Sequence, residues 1–183
     1  MKIIGLSGSL RRHSYNSGLL RAAAAAMPEG AVLEIATIRG IPLYDGDLEE
    51  AEGIPAAVAA LKDAIAGADG LLIATPEYNH GIPGVFKNAL DWASRPPEDQ
   101  ARVFAGKPVA LIGATPGGGG TLLGQTSWLP TLRWLGTDMW NGGKLIVSGA
   151  TKAFDGEGNL TDAAITARLT RFLADFVASI GSR

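Results

Sequence analysis

The chain's 183 residues are 46% hydrophobic and 19% charged, enough apolar material to bury the core of one domain and too much for a disordered segment. Its 16 Lys and Arg stand against 18 Asp and Glu, and a net charge of −2 offers no basic face for nucleic acid or an acidic membrane surface. Cysteine is absent, and His13 and His80 lie far apart with no carboxylate cluster at ligand spacing, so no disulfide, dithiol redox pair or metal site is expected and any electron transfer falls to a bound cofactor.

The first predicted strand covers residues 2–6 and breaks at Ser7-Gly-Ser9 into a loop that ends near Asn16 or Ser17, where a helix over 17–27 begins. The alanine run at 22–26 reads as packing inside that helix, where alanine costs least, and Pro28-Glu-Gly30 closes it. Strands follow at 32–36, 70–75, 108–114 and 144–147, alternating with helices over 54–66, 83–93, 122–135 and 161–180. Thr161-Asp162 caps the last helix after an exposed turn at Asp155-Gly-Glu-Gly158. Residues 137–143 fit two descriptions, because Trp140-Asn-Gly-Gly either interrupts a strand or joins two short ones. Several strands are apolar at nearly every position, as when helices cover both faces of a parallel sheet, and right-handed crossovers then leave a doubly wound α/β sandwich. The expectation is one domain over 1–183 built on a five-stranded parallel sheet. With no signal-peptide pattern and no run of about 18 apolar residues, a cytoplasmic protein without membrane contact is expected.

In such a sheet the loops after the carboxyl ends of the strands meet at one edge, where ligands bind. Three of these loops carry unusual chemistry. In the first, small residues let backbone N–H groups and hydroxyls converge on an anion, the helix start adds its positive dipole end, and Arg11 supplies a fixed cation. Neither a Walker loop nor a G-x-G-x-x-G pattern is present, and a serine-rich loop with one arginine suits a terminal monophosphate, though an ordinary turn with a surface arginine would look similar in isolation. The second loop, with Pro76, Glu77, Tyr78, Asn79 and His80 before Gly81 and Pro83, presents hydrogen-bonding side chains on a stiffened backbone. The third runs from Thr115 and Pro116 into four glycines, Gly117 to Gly120, which serve either as a side-chain-free wall for a planar ligand or as a hinge.

Gly8-Ser-Leu-Arg11, Ser14 and Asn16, taken with Pro76-Glu-Tyr-Asn79, Pro83-Gly84, Lys87-Asn88-Ala89 and Asp91-Trp92, resemble the NAD(P)H-dependent FMN reductase family of the flavodoxin-like fold, particularly its chromate, quinone and azo-dye reducing members. The likeness in element pattern covers essentially the whole chain, and after Gly120 it holds in character only. The resemblance implies a flavodoxin-like FMN-binding domain in which Ser9, Arg11, Ser14, Asn16 and Ser17 hold the FMN phosphate. Pro76, Glu77, Tyr78 and Asn79, with Thr115, Pro116, Gly117 and Gly118, would line the isoalloxazine, and Tyr78 with Trp92 or Trp140 would wall the site. NADPH or NADH would be the electron donor, and quinone, flavin, azo or chromate-like compounds the planar or oxyanion acceptors. No catalytic side chain is required, because the cofactor carries the chemistry. One exposed flavin face cannot hold two planar ligands at once, so ping-pong turnover is expected. Family members pair as dimers or tetramers, and the apolar helix around Val85, Phe86 and Leu90 is the expected interface of a homodimer or homotetramer.

A nonenzymatic nucleotide-binding regulator would use the same cradle, and two other classes fit less well. An electron-carrier flavoprotein of flavodoxin type would rely on a strongly charged docking face, which a net charge of −2 with interspersed signs does not suggest. A hydrolase would need a nucleophile elbow that Gly5-Leu-Ser-Gly8 lacks, or a second acid in the cleft beside Glu77.

Overall fold

The computed structural model describes residues 1–182. Strands β1 (Lys2–Ser7), β2 (Val32–Ala36), β3 (Gly70–Ala74) and β4 (Pro108–Ala114) are followed by two short ones, β5 (Asp138–Met139) and β6 (Leu145–Val147). All pair in parallel in the order β2–β1–β3–β4–β5, the flavodoxin-like arrangement expected from the sequence, with β6 also alongside β4. β5 faces Pro108 and Val109 whereas β6 faces Ile112, Gly113 and Ala114, so the fifth position in the sheet is one strand interrupted between them. The interruption comes from Trp140, whose indole folds back over Gly142 and Gly143; a Cβ at those positions would lie 2.7 and 2.9 Å from the ring.

Helices α1 (Tyr15–Ala25) and α7 (Ala163–Gly181) cover one face of the sheet. Helices α3 (Ala56–Ala66), α4 (Gly84–Ala93), α5 (Gln100–Phe104) and α6 (Leu122–Trp134) cover the other, and α2 (Gly46–Glu52) lies at the surface without a buried residue. The period of two in β3 sends Leu72 and Ala74 into the first core and Leu71 and Ile73 into the second, which is why the strand reads as apolar throughout. Each fully buried Leu or Phe in these cores contributes about 1.5–3 kcal/mol. Helix α1 starts two residues earlier than predicted because Ser14 Oγ accepts a hydrogen bond from the Ser17 N–H at 3.3 Å, and α7 is capped as predicted by Asp162, which accepts from the Ile165 N–H at 2.9 Å. Among the described residues no helix is long and apolar enough to cross a membrane, and no group of three or more His, Asp or Glu could hold a metal ion.

Candidate functional site

The carboxyl ends of β1, β3 and β4 bring the three singled-out loops to one edge of the sheet. There Ser9, Arg11, Asn16, Pro76, Tyr78 and Thr115 line a recess of about 90 Å³. A second recess of about 180 Å³ adjoins it, with Ser7, Ser17, Arg12, Thr37 and Arg39 in its wall, and Ser9 and Arg11 border both.

In the first loop the hydroxyls form a chain. Ser17 Oγ donates to Ser7 Oγ at 3.0 Å, Ser7 Oγ accepts from the Ser9 N–H, and Ser9 Oγ accepts from the Arg11 N–H. The Arg11 side chain is exposed and makes no ion pair or side-chain hydrogen bond among the described residues. Ser14 and Asn16 are buried and already engaged. Ser14 caps α1, and the Asn16 amide donates to Ala114 O at 2.9 Å while accepting from the Ala114 N–H at 3.0 Å, which ties the start of α1 to the end of β4. His13, which follows Arg11 and Arg12 in the loop, lies 3.2 Å from the Glu157 carboxylate. Arg39, which sequence reasoning missed, donates from the end of β2 to the Leu10 carbonyl at 2.6 Å; no local motif announces it, because the contact crosses between strands.

Beneath the second loop the floor is rigid. Trp128 Nε1 donates to Thr75 Oγ1 at 3.1 Å, Thr75 Oγ1 donates to Pro76 O at 2.8 Å, and the Trp128 and Phe86 rings meet edge-on. Gly8 is what lets the first loop close onto this floor, since a Cβ there would stand 2.3 Å from Phe86. Glu77 also lines the recess, and its carboxylate is already engaged: it accepts from the Gly124 N–H at 2.8 Å and meets the His80 ring at 3.1 Å. Burial alone would push this carboxyl up, but the Gly124 N–H and His80 together hold it below its ordinary value, so it stays ionised. Tyr78 and Gly81 exchange backbone hydrogen bonds around Asn79 and His80, both left-handed with φ of 50° and 60°, a two-residue hairpin tip that leaves Tyr78, Asn79 and His80 exposed.

The glycines of the third loop fall into two kinds. Gly120 has a φ of 65°, and a Cβ there would lie 2.2 Å from Ile146. At Gly117, Gly118 and Gly119 a Cβ would meet nothing within 4 Å. The fold does not require those three to be glycine. An exposed backbone of this kind, continuing from Thr115 and Pro116 that share a recess with the unpaired Arg11 and the capped start of α1, fits a planar ring carrying a phosphate, and so fits FMN.

The remaining motif residues have structural roles. Asn88 Nδ2 and Trp92 Nε1 both donate to Pro42 O, at 2.8 and 3.0 Å, and Lys87 pairs with Asp91. Trp92 is fully buried, which corrects its expected place as a wall of the site. Trp140 packs edge-on against Phe172 and tilted against Phe176 and lines a separate cavity between α6 and the interrupted strand, while Tyr78 and Tyr15 are aromatics that border the cleft.

A flavodoxin-like sheet with this edge defines a flavoprotein class, and comparison with known proteins narrows it. The sequence profile of the NADPH-dependent FMN reductase family matches residues 1–152. The chain is 47% identical over 162 residues to an NAD(P)H-dependent FMN reductase of Pseudomonas aeruginosa, covering 88% of this chain and 85% of that one. It is 37% identical to a 2-hydroxy-1,4-benzoquinone reductase of a Burkholderia species, over 100% and 98% of the two chains. Among solved structures it resembles FerB, a flavoenzyme NAD(P)H:(acceptor) oxidoreductase of Paracoccus denitrificans, with a TM-score of 0.86, 32% identity and coverage of 99% and 97%. The chain belongs to the NADPH-dependent FMN reductase family: it is an oxidoreductase with FMN and NADPH or NADH as its cofactors.

Proposed function

We propose that this protein passes reducing equivalents from NADPH or NADH to quinones and similar planar acceptors at the cleft bordered by Arg11, Tyr78 and Thr115, in ping-pong turnover. The observation that carries this reading is the meeting, in one recess, of the uncompensated Arg11 guanidinium with Thr115 and Pro116, from which a run of glycines that the fold does not require continues. FMN, when bound, supplies the two-electron chemistry, and the chain supplies placement and electrostatics. Arg11 and the first turn of α1, with Ser9 and Ser17, hold the phosphate. Pro76, Asn79 and the exposed Tyr78 border the ring, and the amides of Gly117 and Gly118 donate toward its polar edge. Ionised Glu77 braces the hairpin through Gly124 and His80 and takes no proton in turnover. Donor and acceptor share the one opening beside Tyr78, so the oxidised nicotinamide leaves before the acceptor enters.

The homodimer or homotetramer belongs to this proposal with a changed face. Phe86 and Leu90 are fully buried in the chain's own core and cannot form an interface, whereas Val85, Leu122, Leu123 and Trp134 are exposed. A purified protein with a visible flavin band, NADPH or NADH oxidation coupled to a quinone, and parallel initial-rate lines are expected; azo dyes and chromate complete the acceptor panel. Intersecting lines with a ternary complex would overturn the ping-pong order. A flavin-bound protein that oxidises no nicotinamide would be an electron carrier.

A further inference from the structure

We propose that the turn at residues 155–159, received by Arg21 on α1, is a positioning device that sets the affinity of the phosphate cradle without touching the ligand. The proposal rests on the FMN reading above. The turn lies beyond the residues 1–152 that the family profile matches, so family membership gives it no role.

The turn is built to be stiff. The Asp155 carboxylate accepts from the backbone N–H groups of Glu157 and Asn159 at 2.9 and 2.8 Å and from Asn159 Nδ2 at 3.1 Å. Asp155 and Asn159 close the same turn through their backbones. What it presents outward is a set of acceptors, and Arg21 takes them: its guanidinium donates to Asn159 Oδ1 at 2.8 and 3.1 Å and to Gly158 O at 3.0 Å. Two glycines interlock at the same place. A Cβ on Gly18 would stand 1.9 Å from Gly158 O, and Gly158, at a φ of 75°, has a would-be Cβ 2.9 Å from the His13 backbone. His13 Nδ1 and Glu157 Oε2, 3.2 Å apart, add a third contact.

These contacts all fall on the loop and first turns of α1 that carry Arg11, Ser14 and Ser17. The Asn16 to Ala114 hydrogen bonds hold that turn from the sheet side, and the 155–159 turn holds it from the other. A cradle that must be ordered when its ligand arrives binds with an affinity reduced by the fraction of time it is competent, and a remote brace raises that fraction without adding a ligand contact.

The test compares FMN with riboflavin, which lacks the phosphate, titrated into apoprotein. Arg21→Ala and Asn159→Ala should each raise the FMN Kd about fivefold to twentyfold, with riboflavin changed less than about twofold. The double variant should fall short of the product of the two single effects, because the Arg21–Asn159 contact is lost in both. Gly18→Ala is the independent arm: it favours the helix yet drives a methyl into Gly158 O, and it should weaken FMN in the same selective way. Wild-type FMN affinity in these variants would overturn the proposal, as would equal losses for both ligands in step with a lower melting temperature. Wild-type apoprotein that binds no FMN would instead overturn the FMN reading on which the proposal rests.

Discussion

In α3, in the segment between α4 and α5, and in α5, Lys62, Arg95 and Arg102 each rest on a carboxylate, whereas at the carboxyl ends of β1 and β2 Arg11 and Arg12 have no such partner among the described residues and Arg39 reaches only a carbonyl. Lys62, its side chain 5% exposed, meets Asp99 at 2.7 Å; Arg102 meets Asp99 at 2.5 Å and Asp63 at 3.1 Å; Arg95 meets Glu49 at 2.8 Å. The first cluster is neutralised within the chain and serves stability. The second gathers like charges around one recess, a positive field that no carboxylate of the described residues offsets and that suits an anion. The same residue type thus has two uses, and the counter-charge beside it tells them apart.

Arg11→Ala probes the open cluster and should have the largest effect. A charge-assisted hydrogen bond to phosphate contributes about 1.5–3 kcal/mol, so FMN affinity should fall about tenfold to a hundredfold or more, with riboflavin almost unchanged and the apoprotein melting as before. Equal losses for the two ligands would break the comparison. The closed cluster is probed by acid. Arg102 first, and Lys62 second, hold the Asp99 carboxyl far below the ordinary carboxylate range. A pKa depressed by folding contributes stability that is present above the unfolded value of about 4 and is lost as pH falls toward the folded one. Melting temperatures measured from neutral pH downward should therefore show an acid limb that Asp99→Asn flattens, with the variant less stable than wild type at pH 7. Arg11→Ala should leave that limb intact, since nothing it contacts titrates there.

What the sequence could convey tracks how local each interaction is. The alternation of strands and helices was legible because β3 and β4 are apolar on both faces and α4 and α7 carry clear stripes. Helix α2 buries nothing and so leaves no stripe to read. The interruption of the fifth strand depends on Trp140 meeting Phe172 and Phe176, contacts that Trp140-Asn-Gly-Gly does not encode. In the site, the motifs brought Ser9, Arg11, Tyr78 and Thr115 to one edge as expected, but they could not show how the other side chains are spent. Asn16 is engaged with Ala114, Ser14 with its own helix, and Glu77 with Gly124. Trp92 had a local signal, its helical spacing with Phe86 and Ala89, and that signal points to the interior, where it is fully buried.

The glycines of the third loop repeat the contrast between the two charge clusters in steric terms, and they supply the smallest and most discriminating prediction. Gly113, in β4 just before the loop, whose Cβ would stand 2.2 Å from Thr121 Oγ1, and Gly120, at a positive φ beside Ile146, are required by the chain itself. Gly118 is not: its backbone lies outside the left-handed region and a Cβ there meets only open space. Replacing a glycine by alanine at a permitted conformation stabilises by about 0.4–1 kcal/mol, because the unfolded chain loses freedom. Gly118→Ala should therefore melt at or slightly above the wild-type temperature as apoprotein, yet bind FMN about twofold to fivefold more weakly, since the methyl would occupy the wall proposed for the ring. Gly120→Ala should do the reverse in order of severity, losing stability before any effect on flavin can be read. The measurement is a melting curve and a flavin titration on each variant. If Gly118→Ala binds FMN and turns over NADPH as wild type does, the open glycines are a hinge and the side-chain-free wall is not part of the site.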